Sequence, residues 1–154
     1  MYYFYSFRRI KMEKTTDELL KSLKSKKNIE DFFKENTSEL LFSSLKDLID
    51  FYINRKKLKK SEVIRRSMLG SYAYNIINGD RKNPERDKLI MLCFGLELSY
   101  EEANELLKKN SNAELYTRNG RDAVFIFALD RKMSVIETNN MLDEYGFDLL
   151  PLPN

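Results

Sequence analysis

Residues 61–84 read SEVIRRSMLGSYAYNIINGDRKNP, and two short helical patterns flank a tight turn within them. Apolar side chains recur at helical spacing in both patterns, which predicts one packed face and one polar face. The residues expected to face inward are Val63, Ile64, Ala73, Ile76 and Ile77, and those expected to face outward are Ser71, Tyr72, Asn75 and Asn78. Because Asn78 and Gly79 tolerate a left-handed backbone, they are expected to end the second helix. The basic residues Arg81 and Lys82 follow, beside an exposed polar helix.

The composition predicts one packed core built from helices. The chain has 154 residues, of which 42% are hydrophobic, so it can bury one sizeable core. Only five Gly and three Pro are present, while Leu, Lys and Glu are abundant. This balance favours helices over a turn-rich sheet, and the expected fold class is all-α.

The residue types also exclude several kinds of chemistry. No histidine occurs, which excludes Ser-His and Cys-His nucleophile pairs and His-ligated metal sites. The single cysteine, Cys93, lies in the apolar run Leu89–Phe94, so it has no disulfide partner within the chain and no second thiol for a metal. We therefore expect no catalytic residue, no metal and no cofactor, and a reduced cytoplasmic setting.

The first residues are rich in aromatic and basic side chains. Residues 1–11 are expected to form a basic aromatic arm or an alternative-start extension, and not a signal peptide, because Arg8, Arg9 and Lys11 follow the apolar part. No apolar run approaches the ~20 residues that span a bilayer, so no membrane partner is expected.

Charge is unevenly distributed along the chain. Residues 52–88 carry eleven Lys or Arg against four acidic residues, whereas residues 89–154 carry six basic and eleven acidic residues. The cationic part coincides with the two helical patterns, which is the distribution expected for contact with phosphates. A solvated Lys-rich surface is the alternative interpretation.

Four segments are expected along the chain. After the arm, residues 12–42 form an N-terminal helical extension with helices at 16–23 and 29–35, the first begun by a capping box of Thr15 and Glu18. Residues 43–110 form a helical domain whose first helix buries Leu45, Leu48, Ile49, Tyr52 and Ile53 and ends around Lys57. Residues 111–154 form a C-terminal helical hairpin packed on that core.

An internal repeat relates residues 83–115 to residues 118–150 at a spacing of 35 residues. Ser99 and Glu102 return as Ser134 and Glu137, and each pair predicts a capping box. The dipeptide Arg86-Asp87 returns as Arg121-Asp122 at a predicted helix start, where a charge and capping role is expected. Each copy is expected to be one helical hairpin.

The run Leu45–Leu107 resembles the lambda-repressor-like helix-turn-helix fold of the xenobiotic-response-element family of bacterial and phage regulators. The resemblance rests on the helix Leu45–Lys57, the polar start Lys60-Ser61, the helix Ser71–Asn78, the Asn78-Gly79 stop and the loop Arg81-Lys82-Asn83-Pro84. One departure is Met68, which stands in the turn where the family commonly has glycine. The resemblance implies a helix-turn-helix core, flanked here by the N-terminal extension and the C-terminal hairpin.

The resemblance also implies which residues bind DNA. In this family the third helix of the core enters the major groove, while the start of the second helix and the following loop hold phosphates. By position, Ser71, Tyr72 and Asn75 are expected to read base edges, with Tyr74 as a further candidate. The expected phosphate-binding residues are Lys60, Ser61, Asn78, Arg81 and Lys82.

Three hypotheses about function follow. The first is a sequence-specific DNA-binding transcriptional regulator, a repressor acting as a homodimer on double-stranded DNA at the nucleoid. The second is a helical protein-binding module, such as an antitoxin or an inhibitor of a nucleic-acid enzyme, whose acidic C-terminal half engages a protein partner. The third is an enzyme, although no carboxylate pair lies in a recognisable acid-base context.

Overall fold

The computed structural model describes residues 14–36, 39–40, 42 and 44–153. Every regular element in these residues is a helix, which confirms the all-α class. In chain order the helices are α1 (Thr16–Ser25), α2 (Ile29–Asn36), α3 (Leu45–Arg55), α4 (Lys60–Ser67), α5 (Ser71–Ile77), α6 (Arg86–Gly95), α7 (Tyr100–Lys109), α8 (Gly120–Asp130) and α9 (Val135–Glu144). The expected arm at residues 1–11 lies outside the described residues, as do the first residues of the expected extension.

The chain divides into two compact units, one up to residue 41 and one from residue 42 onward. In the first unit, α1 begins with the predicted capping box. The Glu18 amide donates to the Thr15 hydroxyl at 3.1 Å, and the Thr15 amide donates to the Glu18 carboxylate at 3.2 Å. Among the described residues of this unit, Phe32 of α2 is the buried apolar side chain, and α1 has no buried residue.

Helix α6 forms the centre of the second unit. All residues from Leu89 to Phe94 are buried, as are the five residues predicted to form the buried face of α3. Helix α4 packs closely against α6 at Gly95, where a Cβ atom would lie 2.5 Å from the carbonyl oxygen of Val63. Burial raises the pKa of the Cys93 thiol, which keeps it protonated and makes it a core side chain.

Three connections between successive helices of the second unit share one turn geometry. Two residues after the ends of α3, α6 and α8, left-handed backbones occur at Lys57, Glu97 and Lys132, with φ values of 54°, 51° and 53°. The next amide donates to the carbonyl five residues earlier in each case, from Leu58 to Ile53, from Leu98 to Cys93 and from Met133 to Ala128. The repeat is therefore confirmed in the backbone of α6–α7 and α8–α9, and its turn recurs in α3–α4. Helix α3 ends at Arg55, two residues before the predicted end.

The two Arg-Asp dipeptides have a role that the sequence did not predict. Both aspartates lie in the first turn of their helices, as expected, but each arginine pairs with the aspartate of the other copy. Arg121 donates to both oxygens of Asp87 at 2.9 Å, and Arg86 donates to the two oxygens of Asp122 at 3.2 and 3.0 Å. The pairs link the two hairpins, because guanidinium and carboxylate groups form planar two-bond contacts. Capping of α8 falls instead to Asn119.

Candidate nucleic-acid interface

The connection between α4 and α5 depends on two residues with left-handed backbones. Met68 has a φ of 59° and Gly70 a φ of 57° with a ψ of −133°, a combination open to glycine. Between them, Leu69 is buried, and its amide donates to the Ser67 hydroxyl at 3.3 Å. The turn is thus anchored in the core, and it fixes Ser71 as the first residue of α5.

The inner face of α5 is as predicted, since Ala73, Ile76 and Ile77 are buried. On the outer face, Ser71 is exposed and Asn75 is half-buried. The side chain of Asn75 has no hydrogen-bond partner within the part of the chain that the structure describes. Tyr74 is 58% exposed, so it points outward and does not pack on the neighbouring helix.

Tyr72 differs from its predicted outward placement. It is half-buried, and its ring lies 4.3 Å from the guanidinium carbon of Arg81 and 4.1 Å from the Lys88 Nζ. Its hydroxyl accepts the amide hydrogen of Glu85 at 3.3 Å. These contacts hold the ring beside the loop, so Tyr74, and not Tyr72, is the accessible aromatic residue of α5.

The loop after α5 is held by local bonds. Only Gly79 takes the left-handed backbone, at a φ of 89°, while Asn78 stays helical at a φ of −82°. The Asn78 side-chain oxygen accepts the Asp80 amide at 3.0 Å, and the Arg81 amide donates to the Asn75 carbonyl at 2.9 Å. Asn78 therefore shapes the loop, and Arg81 and Lys82 project from it as exposed cations.

The cations of the basic segment, residues 52–88, are of two kinds, those in ion pairs and those without a carboxylate partner. Of its eleven Lys and Arg residues, five form ion pairs: Arg55, Lys56, Arg65, Arg66 and Arg86. The other six lie within ion-pair distance of no described carboxylate: Lys57, Lys59, Lys60, Arg81, Lys82 and Lys88. They fall into one group around the start of α4, together with the exposed Ser61, and one group around the loop after α5.

The start of α4 lacks the cap found at the starts of α7 and α9. Ser99 and Ser134 accept hydrogen bonds from the amides of Glu102 and Glu137, which completes both predicted capping boxes. At the equivalent position of the turn, α4 has Lys59, which makes no side-chain capping bond. A cation here also opposes the positive end of the helix dipole, so this position is less favourable for stability than a serine.

Sequence reasoning missed two residues of this surface, Lys59 and Lys88. A signal for Lys59 was present, because aligning the turn of α3–α4 with the turns before Ser99 and Ser134 shows the missing serine. Lys88 gave no such signal, since its position above the Tyr72 ring depends on the packing of α5 against the start of α6.

Outside this surface, the described residues form a cleft. A cleft of about 590 Å³ lies between the start of α7 and α8, lined in part by Tyr100, Ile126 and Phe127. Within residues 14–36, 39–40, 42 and 44–153, no group of three or more Cys, Asp or Glu side chains could hold a metal ion. In the same residues no helix is long and apolar enough to cross a membrane.

Comparison with known proteins adds no assignment. No protein family, curated protein or solved structure matches this chain.

Proposed function

We propose that this chain is a sequence-specific DNA-binding regulator of transcription, a repressor that inserts α5 into the major groove. The observation that carries the proposal is the polar outer face of α5, with unpaired cations on both sides of this helix in the chain. Cations without a carboxylate partner are available to phosphates, and an exposed helix without charge can approach base edges. The chain would then act in the cytoplasm, at the nucleoid.

Base reading is assigned to Ser71, Tyr74 and Asn75. An Asn side chain can donate to and accept from the N7 and N6 edge of adenine, and a Ser hydroxyl can bond to several bases. The ring of Tyr74 is exposed and can contact a thymine methyl group. Tyr72 is removed from this group, because its ring and hydroxyl are already engaged within the protein.

Phosphate contact is assigned to the start of α4 and to the loop after α5. Lys60 and Ser61 are exposed at the first, and Arg81 and Lys82 at the second. Lys59 joins them, since a lysine at this position sacrifices a cap that the other hairpins possess. Asn78 contributes by shaping the loop, because its side-chain oxygen is bonded to the Asp80 amide.

A homodimer is the second part of the proposal, formed through the C-terminal hairpin. Its exposed large apolar side chains are Phe127, Ile136, Tyr145, Leu149 and Leu152. The residue equivalent to Phe127 in the first hairpin, Leu92, is fully buried. The face that is buried in the first hairpin is therefore exposed in the second. Ile136→Glu, which copies the equivalent Glu101, is expected to give a monomer in light scattering. An unchanged mass would place the contact elsewhere.

The proposal is tested with duplexes selected by the full chain from a random-sequence pool. Asn75→Ala should relax the preference for one base, whereas Arg81→Ala should weaken binding to all duplexes similarly. Circular dichroism controls for folding of both variants. Equal, weak binding of the wild-type chain to every duplex would contradict the proposal.

A protein-binding module such as an antitoxin is the second candidate function, and the cleft beside Phe127 favours it. Phe127 is 41% exposed there, with the guanidinium of Arg131 3.5 Å from the ring centroid. The two candidates differ in their response to substitution. If the protein-binding module is correct, Phe127→Ala would abolish binding of the protein partner and Asn75→Ala on α5 would leave that binding unchanged.

A further inference from the structure

Two unpaired cations share the ring of Tyr72. The guanidinium carbon of Arg81 and the Nζ of Lys88 lie 4.3 and 4.1 Å from its centroid, within the range in which an aromatic face attracts a cation. Arg81 comes from the loop and Lys88 from the first turns of α6. No described carboxylate lies within ion-pair distance of either, and the ring face is a compensating contact that both cations share.

The two charges are also close to each other. The Arg81 guanidinium carbon and the Lys88 Nζ can be no farther apart than the sum of their distances to the ring centroid. This upper limit is about one Debye length at physiological salt, ~8 Å. Salt screens much of the repulsion between exposed charges at the upper end of this range, so both cations can stay beside the ring and meet an anion. Both cations are therefore close enough to contact one stretch of a phosphate backbone.

Tyr72 ties these cations to the proposed reading helix. Its backbone belongs to α5, and its hydroxyl accepts the amide hydrogen of Glu85, the N-cap residue just before α6, at 3.3 Å. The ring thus connects α5, the loop and α6 in one contact. Long Arg and Lys side chains lose conformational entropy on binding, and a ring that already orders them reduces that loss.

We propose that Tyr72 is a positioning residue that holds Arg81 and Lys88 for one stretch of DNA backbone beside α5, and that Lys88 is a further phosphate-binding residue. This inference rests on the proposed function of the same surface. It gives Tyr72 no contact with bases. The side chain acts through the two cations, whose places relative to α5 it fixes.

The test compares Tyr72→Phe with Tyr72→Leu in the full chain, on a duplex selected by the wild-type protein. Tyr72→Phe keeps the ring and loses only the hydroxyl, so it should retain the salt dependence of binding. Tyr72→Leu should weaken binding about tenfold and reduce the slope of log affinity against log salt by about one to two, at ~0.9 per phosphate contact. The order of preference among single-base variants of the duplex should stay unchanged.

Several results would overturn the inference. An unchanged salt slope in Tyr72→Leu would show that the ring positions no phosphate-binding cation, and a changed base preference would make Tyr72 a reader. If Tyr72→Leu does not fold, Lys88→Gln serves as the second variant. It should lower the slope by about 0.9 and keep the base preference, and an unchanged slope would refute the role of Lys88.

The free protein offers a separate readout that does not depend on DNA. Ring current should shift the side-chain proton resonances of Arg81 and Lys88 upfield in wild type and in Tyr72→Phe, and not in Tyr72→Leu. Absence of these shifts in wild type would overturn the inference even if DNA binds. Absence of duplex binding with the shifts present would overturn the proposed function, and the phosphate role with it.

Discussion

Lys59→Ser should change stability and DNA binding in opposite directions. The turn before α4 has a left-handed residue at the same position as the turns before Ser99 and Ser134, and the following amide makes the same backbone hydrogen bond. Glu62 already stands at the position that Glu102 and Glu137 occupy in the two capping boxes. A serine at position 59 therefore meets the backbone geometry of a cap and can accept the Glu62 amide, and the Glu62 carboxylate completes the box once it leaves its ion pair with Arg65.

The gain in stability and the loss of duplex binding can both be sized from the structure. A serine cap is worth about 1 kcal/mol over a residue that makes no capping bond, and the dipole of α4 no longer faces a lysine. For a chain of this length, that gain corresponds to a rise of roughly 3 °C in Tm. Loss of one phosphate contact should lower the slope of log affinity against log salt by about 0.9 and weaken duplex binding several-fold.

Lys59→Ala is the matched control, because it removes the charge and adds no cap. Thermal unfolding followed by circular dichroism should show a clearly larger gain in Lys59→Ser than in Lys59→Ala, because only the serine adds a cap, while titrations of a selected duplex should show the same loss in both variants. Equal Tm values for the two variants would refute the argument from the shared turn. Unchanged duplex affinity in both would refute phosphate contact at the start of α4.

Three further predictions concern the second unit. Gly95→Ala should lower the free energy of unfolding by roughly 1 to 3 kcal/mol in urea titrations, because the new methyl group would lie 2.5 Å from the Val63 carbonyl oxygen; a neutral effect would mean that α4 can move away. Tyr52→Phe should leave the free energy of unfolding unchanged or raise it by about 1 kcal/mol, since the buried hydroxyl has no partner among the described residues; a clear loss would show that the hydroxyl is bonded. Asp87→Arg and Arg121→Asp should each lower the free energy of unfolding by roughly 1 kcal/mol, and the double variant should recover part of that loss. No recovery in the double-mutant cycle would show that the ion pair contributes nothing to stability.

The helices and their buried faces could be predicted from the sequence because they depend on local spacing. The apolar residues of α3, the fully buried α6 and the capping boxes at Thr15, Ser99 and Ser134 all follow from patterns a few residues long. The 35-residue repeat also predicts the hairpin of α8 and α9, because it relates this segment to α6 and α7.

The contacts between distant segments could not be predicted in this way. Tyr72 and Tyr74 are two residues apart on one short helix, and their exposure depends on where the loop and α6 lie. The exchange of partners between Arg86-Asp87 and Arg121-Asp122 requires knowing that the two helix starts face each other. Which cations remain unpaired is likewise a result of packing, because charge counts along the chain do not separate Arg66, bonded to the Gly95 carbonyl, from Lys60.

The central claim is that α5 reads a DNA sequence while the surrounding cations hold the backbone. The most direct measurement is the affinity of the full chain for a duplex selected from a random pool, compared with a scrambled duplex of equal length, at increasing salt. The account predicts a preference of at least about 10³-fold for the selected duplex and a steep loss of affinity between ~50 and ~200 mM salt. Equal affinity for both duplexes at every salt concentration would contradict it.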